Sequence, residues 1–271
     1  MKLLLIIVSV IAGIALLGWL GFQFKPKPFS PYPEAAPQLK TIPLPAGLPA
    51  PVERFYKTVY GDEIPVIETA VLKGRGVLAP FRVKMPTRFV FVHEAGKNYR
   101  HYFESTFFGF PIMKVNENYL DSKSYFQLPV ATYENDASIN QGADLALWAE
   151  AAWFPSIWLT DSRVRWEPLD DRTALLFVPF EDKEENFVVR FNPETGLIDS
   201  MEAMRYRDPG PQAKKILWIT RTMESGTIAG TPLGAVGSAT WLDQGKPWAT
   251  FTLEEVKFNV DVSNYIRQRG N

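Results

Sequence analysis

The stretch "LALWAEAAWFPSIW", residues 145–158, decides the fold. It is apolar almost throughout, and Trp148, Trp153 and Trp158 stand five residues apart in it. On a helical wheel Leu145, Trp148, Ala149, Ala152 and Trp153 share one face, while Ala146, Leu147 and Phe154 lie away from it. A helix apolar on nearly every side is buried in its own domain or lines an apolar cavity. Residues 142–154 are expected to form that helix, with Pro155 forcing the chain out. Glu150 carries the only charge in the stretch. A carboxylate there is costly unless it is paired or protonated. Arg163, Arg165 and Arg205 are the expected partners, Arg165 foremost because it and Arg163 alternate with Val164 and Trp166. A structural ion pair is the first expectation, and an acid facing a ligand is the alternative.

The flanks read as antiparallel β-structure. From Phe81 to His93 the odd positions Phe81, Val83, Met85, Phe89 and Phe91 are apolar, and Arg82, Lys84 and Arg88 are charged. "EAGKN" is a turn, and Tyr99, His101 and Phe103 continue the alternation on the return. Centring the hairpin on Lys97 places His93 opposite His101 on the core side and Glu94 opposite Arg100 outside. After Pro155 a meander of short strands follows, with turns at "DDR", "EDKEE", "NPETG" and "DPGPQA". In the last strand Phe251 and Leu253 are odd, but Val256, Phe258, Val260 and Val262 are even, which predicts a bulge at Glu254–Glu255. "GTIAGTPLGAVG", residues 226–237, lacks the lysine of a phosphate loop and is expected as a turn or irregular edge. Before all of this, "LPAPVERFYKTVYG" gives a first helix with Val52, Phe55, Tyr56, Val59 and Tyr60 on one face.

Residues 3–24 carry no charge. At about 1.5 Å per residue they reach about 33 Å, enough for a hydrocarbon core. The run ends in Trp19, Phe22 and Phe24, followed by Lys25 and Lys27, which suits an uncleaved anchor (1–24) with a cleaved signal as the alternative. Residues 25–51 contain nine prolines, so 25–47 read as a stiff spacer ahead of one α+β domain at 48–271. The chain is expected in the membrane, single-pass, with its domain outside the cytoplasm.

Net charge is −1 and no Lys/Arg cluster occurs, which argues against a nucleic-acid partner. There is no cysteine, so disulfides, thiolate metal sites and a cysteine nucleophile are excluded. G-x-S-x-G, G-K-[ST], H-E-x-x-H and G-x-G-x-x-G are all missing. His93 and His101 are the only histidines. A metal needs a third ligand, and Glu94 and Glu104 point to the other face by parity, so neither metal nor cofactor is expected.

"LPAPVERFY", "LWAEAAWFPSIWLTDSRVRWEPLDDRTALLFV" and "GTPL…ATW" resemble a bacterial family of unknown function. Its marks are the A-E-A-x-W-F-P motif, a V-x-W-E strand with a D-D/N-x-T-A turn, and a late G-x-P…W segment. Where that family often carries an arginine before A-E-A, this chain has Ala146. The layout is similar to the lipoprotein-carrier class, which implies a curved sheet wrapped around helices and sheltering an acyl chain.

The expected fold is α+β: a large curved, mostly antiparallel sheet, an open half-barrel, around the 142–154 helix. The expected function is non-enzymatic binding of a lipid or other apolar molecule near the membrane. Its candidate residues are Trp148, Glu150, Trp153, Phe154, Trp158, Trp166, Arg165, His93 and His101. An interaction domain of an envelope complex is the second reading, and an enzyme using Glu150 with His93 and His101 the third.

Overall fold

The computed structural model describes residues 1–268, with the Phe81 side chain also outside the described residues. Helix α1 (Lys2–Gly21) exposes its apolar side chains along its length. Strand β1 (Thr41–Pro43) pairs with β2 (Glu63–Pro65), and between them lies α2 (Ala50–Val59), with Pro51 in its first turn. Val52, Phe55, Tyr56 and Val59 bury the expected face of α2 in the main core, while Tyr60 is half-buried.

Two antiparallel meanders then build one sheet. The first runs β3 (Thr69–Leu78), β4 (Met85–Glu94), β5 (Asn98–Phe107), β6 (Phe110–Leu120), β7 (Lys123–Gln127) and β8 (Thr132–Glu134). The second runs β9 (Arg165–Asp170), β10 (Thr173–Phe180), β11 (Lys183–Phe191), β12 (Ile198–Tyr206), β13 (Lys215–Ile228), β14 (Thr231–Trp241) and β15 (Pro247–Phe258). Strand β15 returns beside β3, so the order is β8-β7-β6-β5-β4-β3-β15-β14-β13-β12-β11-β10-β9. The ends, β8 and β9, do not pair, and the sheet stays open as expected of a half-barrel.

That topology explains the central helix. The chain between β8 and β9 joins the two outermost strands, so it must cross the face of the sheet. It does so as α3 (Ala137–Glu150), then a 3₁₀ turn at Ala151–Trp153 and a short α4 (Ile157–Thr160). Every residue from Ile139 to Ala149 is buried, which is why residues 145–149 are apolar on all sides. The helix begins five residues earlier than expected, because the Asp136 carboxylate accepts from the Ser138 and Ile139 amides at 3.0 and 3.1 Å. Gly142 lies against β12: a Cβ there would stand 3.1 Å from the Tyr206 carbonyl oxygen.

The bulge in the last strand is present. Leu253 pairs with Gly74 and Glu255 with Lys73, leaving Glu254 as the extra residue. The β4–β5 hairpin centres on Gly96 (φ +68°) rather than Lys97, so His93 pairs with Tyr99, and Phe91 with His101. A two-residue offset preserves parity, and both imidazoles keep the inner face. Strand β4 starts only at Met85, after a 3₁₀ turn at Pro80–Arg82, and Val83 is exposed. Residues 226–237 hold the expected turn, at Ala229–Gly230, but lie inside the sheet and not at its edge: β13 runs to Ile228 and β14 starts at Thr231, with register shifts opposite Gly234–Gly237.

The outer face of β3–β5 is also covered. Val71, Val92, Val260, Val262 and Ile266 form a second apolar cluster with Tyr32, assisted by α5 (Ser263–Ile266). Residues 26–34 lie along this face instead of standing free. Lys73 Nζ donates to the Ser30 carbonyl at 2.5 Å, and Lys257 Nζ to those of Tyr32 and Glu34 at 2.6 and 2.5 Å. The Tyr32 hydroxyl donates to the Asp261 carbonyl at 2.6 Å. The end of α1 meets the β5–β6 hairpin, where Phe22 contacts Phe107, Phe24 contacts Phe108, and the Phe108 amide donates to the Gly21 carbonyl at 2.7 Å.

Candidate functional site

The end of α3 delivers Glu150 to the inner face of β4 and β5. Its Oε2 lies 2.7 Å from His101 Nε2 and 3.1 Å from His93 Nε2. Both imidazoles are buried, and Glu150 is exposed by only 17% at its side chain. Glu117 on β6 approaches from the far side, with Oε2 3.6 Å from His101 Nδ1, and its Oε1 accepts from the Tyr99 hydroxyl at 2.5 Å. Tyr99 stacks on His101 with ring centroids 3.9 Å apart.

Electrostatics follow from this packing. Burial opposes a charge on His101, but the Glu150 and Glu117 carboxylates outweigh it and lift the imidazole to about 9. Burial would raise Glu150, yet the two imidazoles hold it down at about 2. For His93 burial prevails over Glu150, and its affinity for a proton falls. The buried centre therefore sets two imidazoles against the Glu150 carboxylate, with proton affinity raised at His101 and lowered at His93.

Next to this cluster the concave face leaves a cavity of about 90 Å³. Trp153, Met201, Trp218, Leu233, Val236 and Phe251 line it, with Glu150 at its edge and Thr220 and Thr222 among the few polar walls. Trp153 is fixed there by donating Nε1–H to the Gly234 carbonyl at 3.0 Å.

The expected site residues thus divide. Glu150, His93 and His101 come together, Phe154 packs on His93 with ring centroids 5.2 Å apart, and Trp153 lines the cavity. Trp148 and Trp158 belong to the solid core away from the cavity, linked by the Trp158 Nε1–H donating to the Trp148 carbonyl at 3.2 Å. Trp166 packs edge-on against Trp158. Arg165 is not the partner of Glu150. It faces outward, pairs with Glu184 and Glu167, and lies 3.7 Å over the Phe177 ring. Arg163 pairs with Asp161, and Arg205 donates to the Gly142 carbonyl at 2.8 Å. Glu117 was not foreseen, although it breaks the apolar parity of Val115 and Tyr119. Asp144 is a second unforeseen group. It is buried beside the Tyr119 hydroxyl at 3.2 Å, and burial pushes its carboxyl up to about 7.

Residues 38–270 match a family described as a family of unknown function, DUF6544. The chain belongs to the DUF6544 family. Among curated proteins none matches it. This DUF6544 chain is similar to several solved structures, among them three bacterial proteins. A LolA superfamily protein from Nitrosomonas europaea shares 12% identity at a TM-score of 0.48, over 82% of this chain and 99% of that one. A DUF1329 family protein from Desulfovibrio piger shares 9% at 0.44, over 74% and 90%. An outer membrane lipoprotein-sorting protein domain from Vibrio parahaemolyticus shares 10% at 0.42, over 74% and 89%.

Proposed function

We propose that this chain shelters a short apolar segment of a lipid or other amphiphile between its concave sheet and the end of α3, at the surface of a membrane. The observation that carries this reading is the cavity of about 90 Å³ beside Trp153, walled mostly by apolar side chains, with Glu150, Thr220, Arg221, Thr222 and Ser238 as its polar lining. A packed interior leaves few voids larger than a water molecule, so an apolar gap on the concave face is a candidate binding space. Its volume suits part of an acyl chain or one apolar group, not a whole lipid. The membrane part of the reading rests on α1, twenty residues exposed except towards the C-terminal end, with a mean hydropathy of 2.8 over its most apolar window. On this reading the domain stands outside the cytoplasm.

Photo-crosslinking tests this. The full chain in detergent micelles is incubated with a photoactivatable fatty acid, irradiated, and mapped by peptide mass spectrometry. Adducts on the peptides around Trp153, Met201 or Leu233, competed by unlabelled fatty acid, are expected. Labelling confined to α1 would refute the reading.

A further inference from the structure

We propose that His93, His101 and Glu150 form a binding site for one divalent transition-metal ion, zinc foremost. Histidine alone did not suffice in the sequence, since both carboxylates near the hairpin point outward. The helix crossing the sheet supplies the third ligand. One ligand atom from each residue lies within 4.8 Å of the other two.

Three further observations support the assignment. First, the atoms converge in close but misaligned contact: His93 Nε2, His101 Nε2 and Glu150 Oε2 are all buried, and their contacts of 2.7 and 3.1 Å fall outside hydrogen-bonding geometry. His93 has neither nitrogen satisfied, and it is wholly buried. A buried polar group left unpaired costs about 1–3 kcal/mol. A metal ion on Nε2 removes that cost for both imidazoles and the carboxylate together. Second, the spacing suits a small ion. Tetrahedral zinc with bonds of about 2.0–2.1 Å sets its ligand atoms about 3.3 Å apart. The observed 2.7 and 3.1 Å from Glu150 need to open by only a few tenths of an ångström. Third, the outer carboxylate of a metal-bound histidine is in place. Glu117, itself held by the Tyr99 hydroxyl, faces His101 Nδ1 and would fix the tautomer that presents Nε2. Two imidazoles and one carboxylate are a ligand set for zinc and its neighbours rather than for calcium or magnesium.

Three protein ligands leave a four-coordinate ion one position for an outside donor. Glu150 borders the apolar cavity, so that position opens towards it. The site would take the oxygen headgroup of an amphiphile whose tail enters the cavity. Ion binding itself does not depend on the apolar-ligand reading.

Metal analysis and titration test the proposal on the full chain in detergent. The chelator-stripped chain is titrated with zinc chloride and, separately, with cobalt chloride. One equivalent of zinc per chain is expected by inductively coupled plasma mass spectrometry after dialysis. The cobalt form is expected to show intense visible bands of a tetrahedral site. His101→Ala and Glu150→Gln are each expected to weaken zinc at least tenfold, with circular dichroism unchanged. X-ray absorption of the zinc-loaded wild type gives a second reading that does not depend on how His101→Ala folds, with two imidazoles bound directly to the zinc. No stoichiometric zinc, zinc retained by Glu150→Gln at full affinity, or a zinc shell without imidazole would each overturn the proposal. Zinc binding without fatty-acid labelling would uphold this site while removing the apolar-ligand reading, and the converse would do the opposite.

Discussion

Filling the cavity should strengthen the fold and abolish the function proposed for it. Gly237 on β14 lines the cavity, and a Cβ there would meet only Trp153 Cζ2 at 3.7 Å and the Arg221 carbonyl at 3.9 Å, both ordinary contacts. Valine is therefore accommodated at its first atom, and β-branched residues suit strands. At about 24 cal/mol per Å³, a cavity of about 90 Å³ corresponds to about 2 kcal/mol. Counting three added carbons at about 0.8 kcal/mol each gives about the same figure. For a chain of this size that is an increase in Tm of about 4–8 °C. The assay pairs urea denaturation of Gly237→Val with fluorescence titration of a dansyl-tagged fatty acid. The expected outcome is a higher midpoint together with at least tenfold weaker binding. A variant that is stabilised but binds the probe unchanged would show that the cavity is a packing fault and not a binding space. A destabilised variant would show that the void is already closed by side-chain movement.

Three other outcomes follow from the same geometry. Asp144, raised from 3.8 to about 7 by burial, faces Tyr119, Glu185 and Arg163. Its folded value lies above its unfolded one, so the penalty is absent below about pH 4, grows through pH 4–7 and is complete above it. Asp144→Asn should match wild type at pH 4 and exceed it at pH 8 by up to about 4 kcal/mol in denaturant midpoint analysis, and equal curves at pH 8 would refute this. Deleting Glu254 removes the extra residue yet leaves Phe251, Leu253, Val256 and Phe258 on one face, so only the ion pair with Arg75 is lost and a change below about 1 kcal/mol is expected in thermal melts, with a loss above about 3 kcal/mol as the refuting result. Tyr32→Ala should cost about 2–4 kcal/mol by removing a buried ring and the bond to Asp261, measured by thermal melts alongside limited proteolysis within residues 22–40.

Much of the fold was legible because its signals are local. The odd–even switch around Glu254 comes from the side-chain period of a strand, and the bulge follows from it directly. The all-round apolar helix follows from a segment buried along the length of its middle. What was hidden depends on long-range pairing. No local pattern says that Glu150 meets β4 and β5 rather than β9. Parity did carry a warning: if Trp166 faces inward, Arg165 must face out, as it does. Glu117 likewise announced itself as an acid on the apolar parity of β6. The hairpin register was off by two because the turn is set by Gly96, yet the imidazoles stayed on their face since an even offset preserves it. The attachment of residues 26–34 was invisible, because lysines that bind backbone carbonyls leave no pattern in the spacer itself.

That attachment limits where the cavity can travel. A slack segment of residues 22–40 would pay out to about 60 Å of extended chain, letting a body on its end sample a broad zone above a bilayer. Bound at Ser30, Tyr32 and Glu34 to β3 and β15, and with Phe22 and Phe24 lodged against the tip of β5 and β6, the segment has almost no free play. Where α1 crosses a membrane, the half-barrel stands at one height and one tilt. It would then serve as a fixed station that visitors must reach, and not as a ferry that leaves with its cargo.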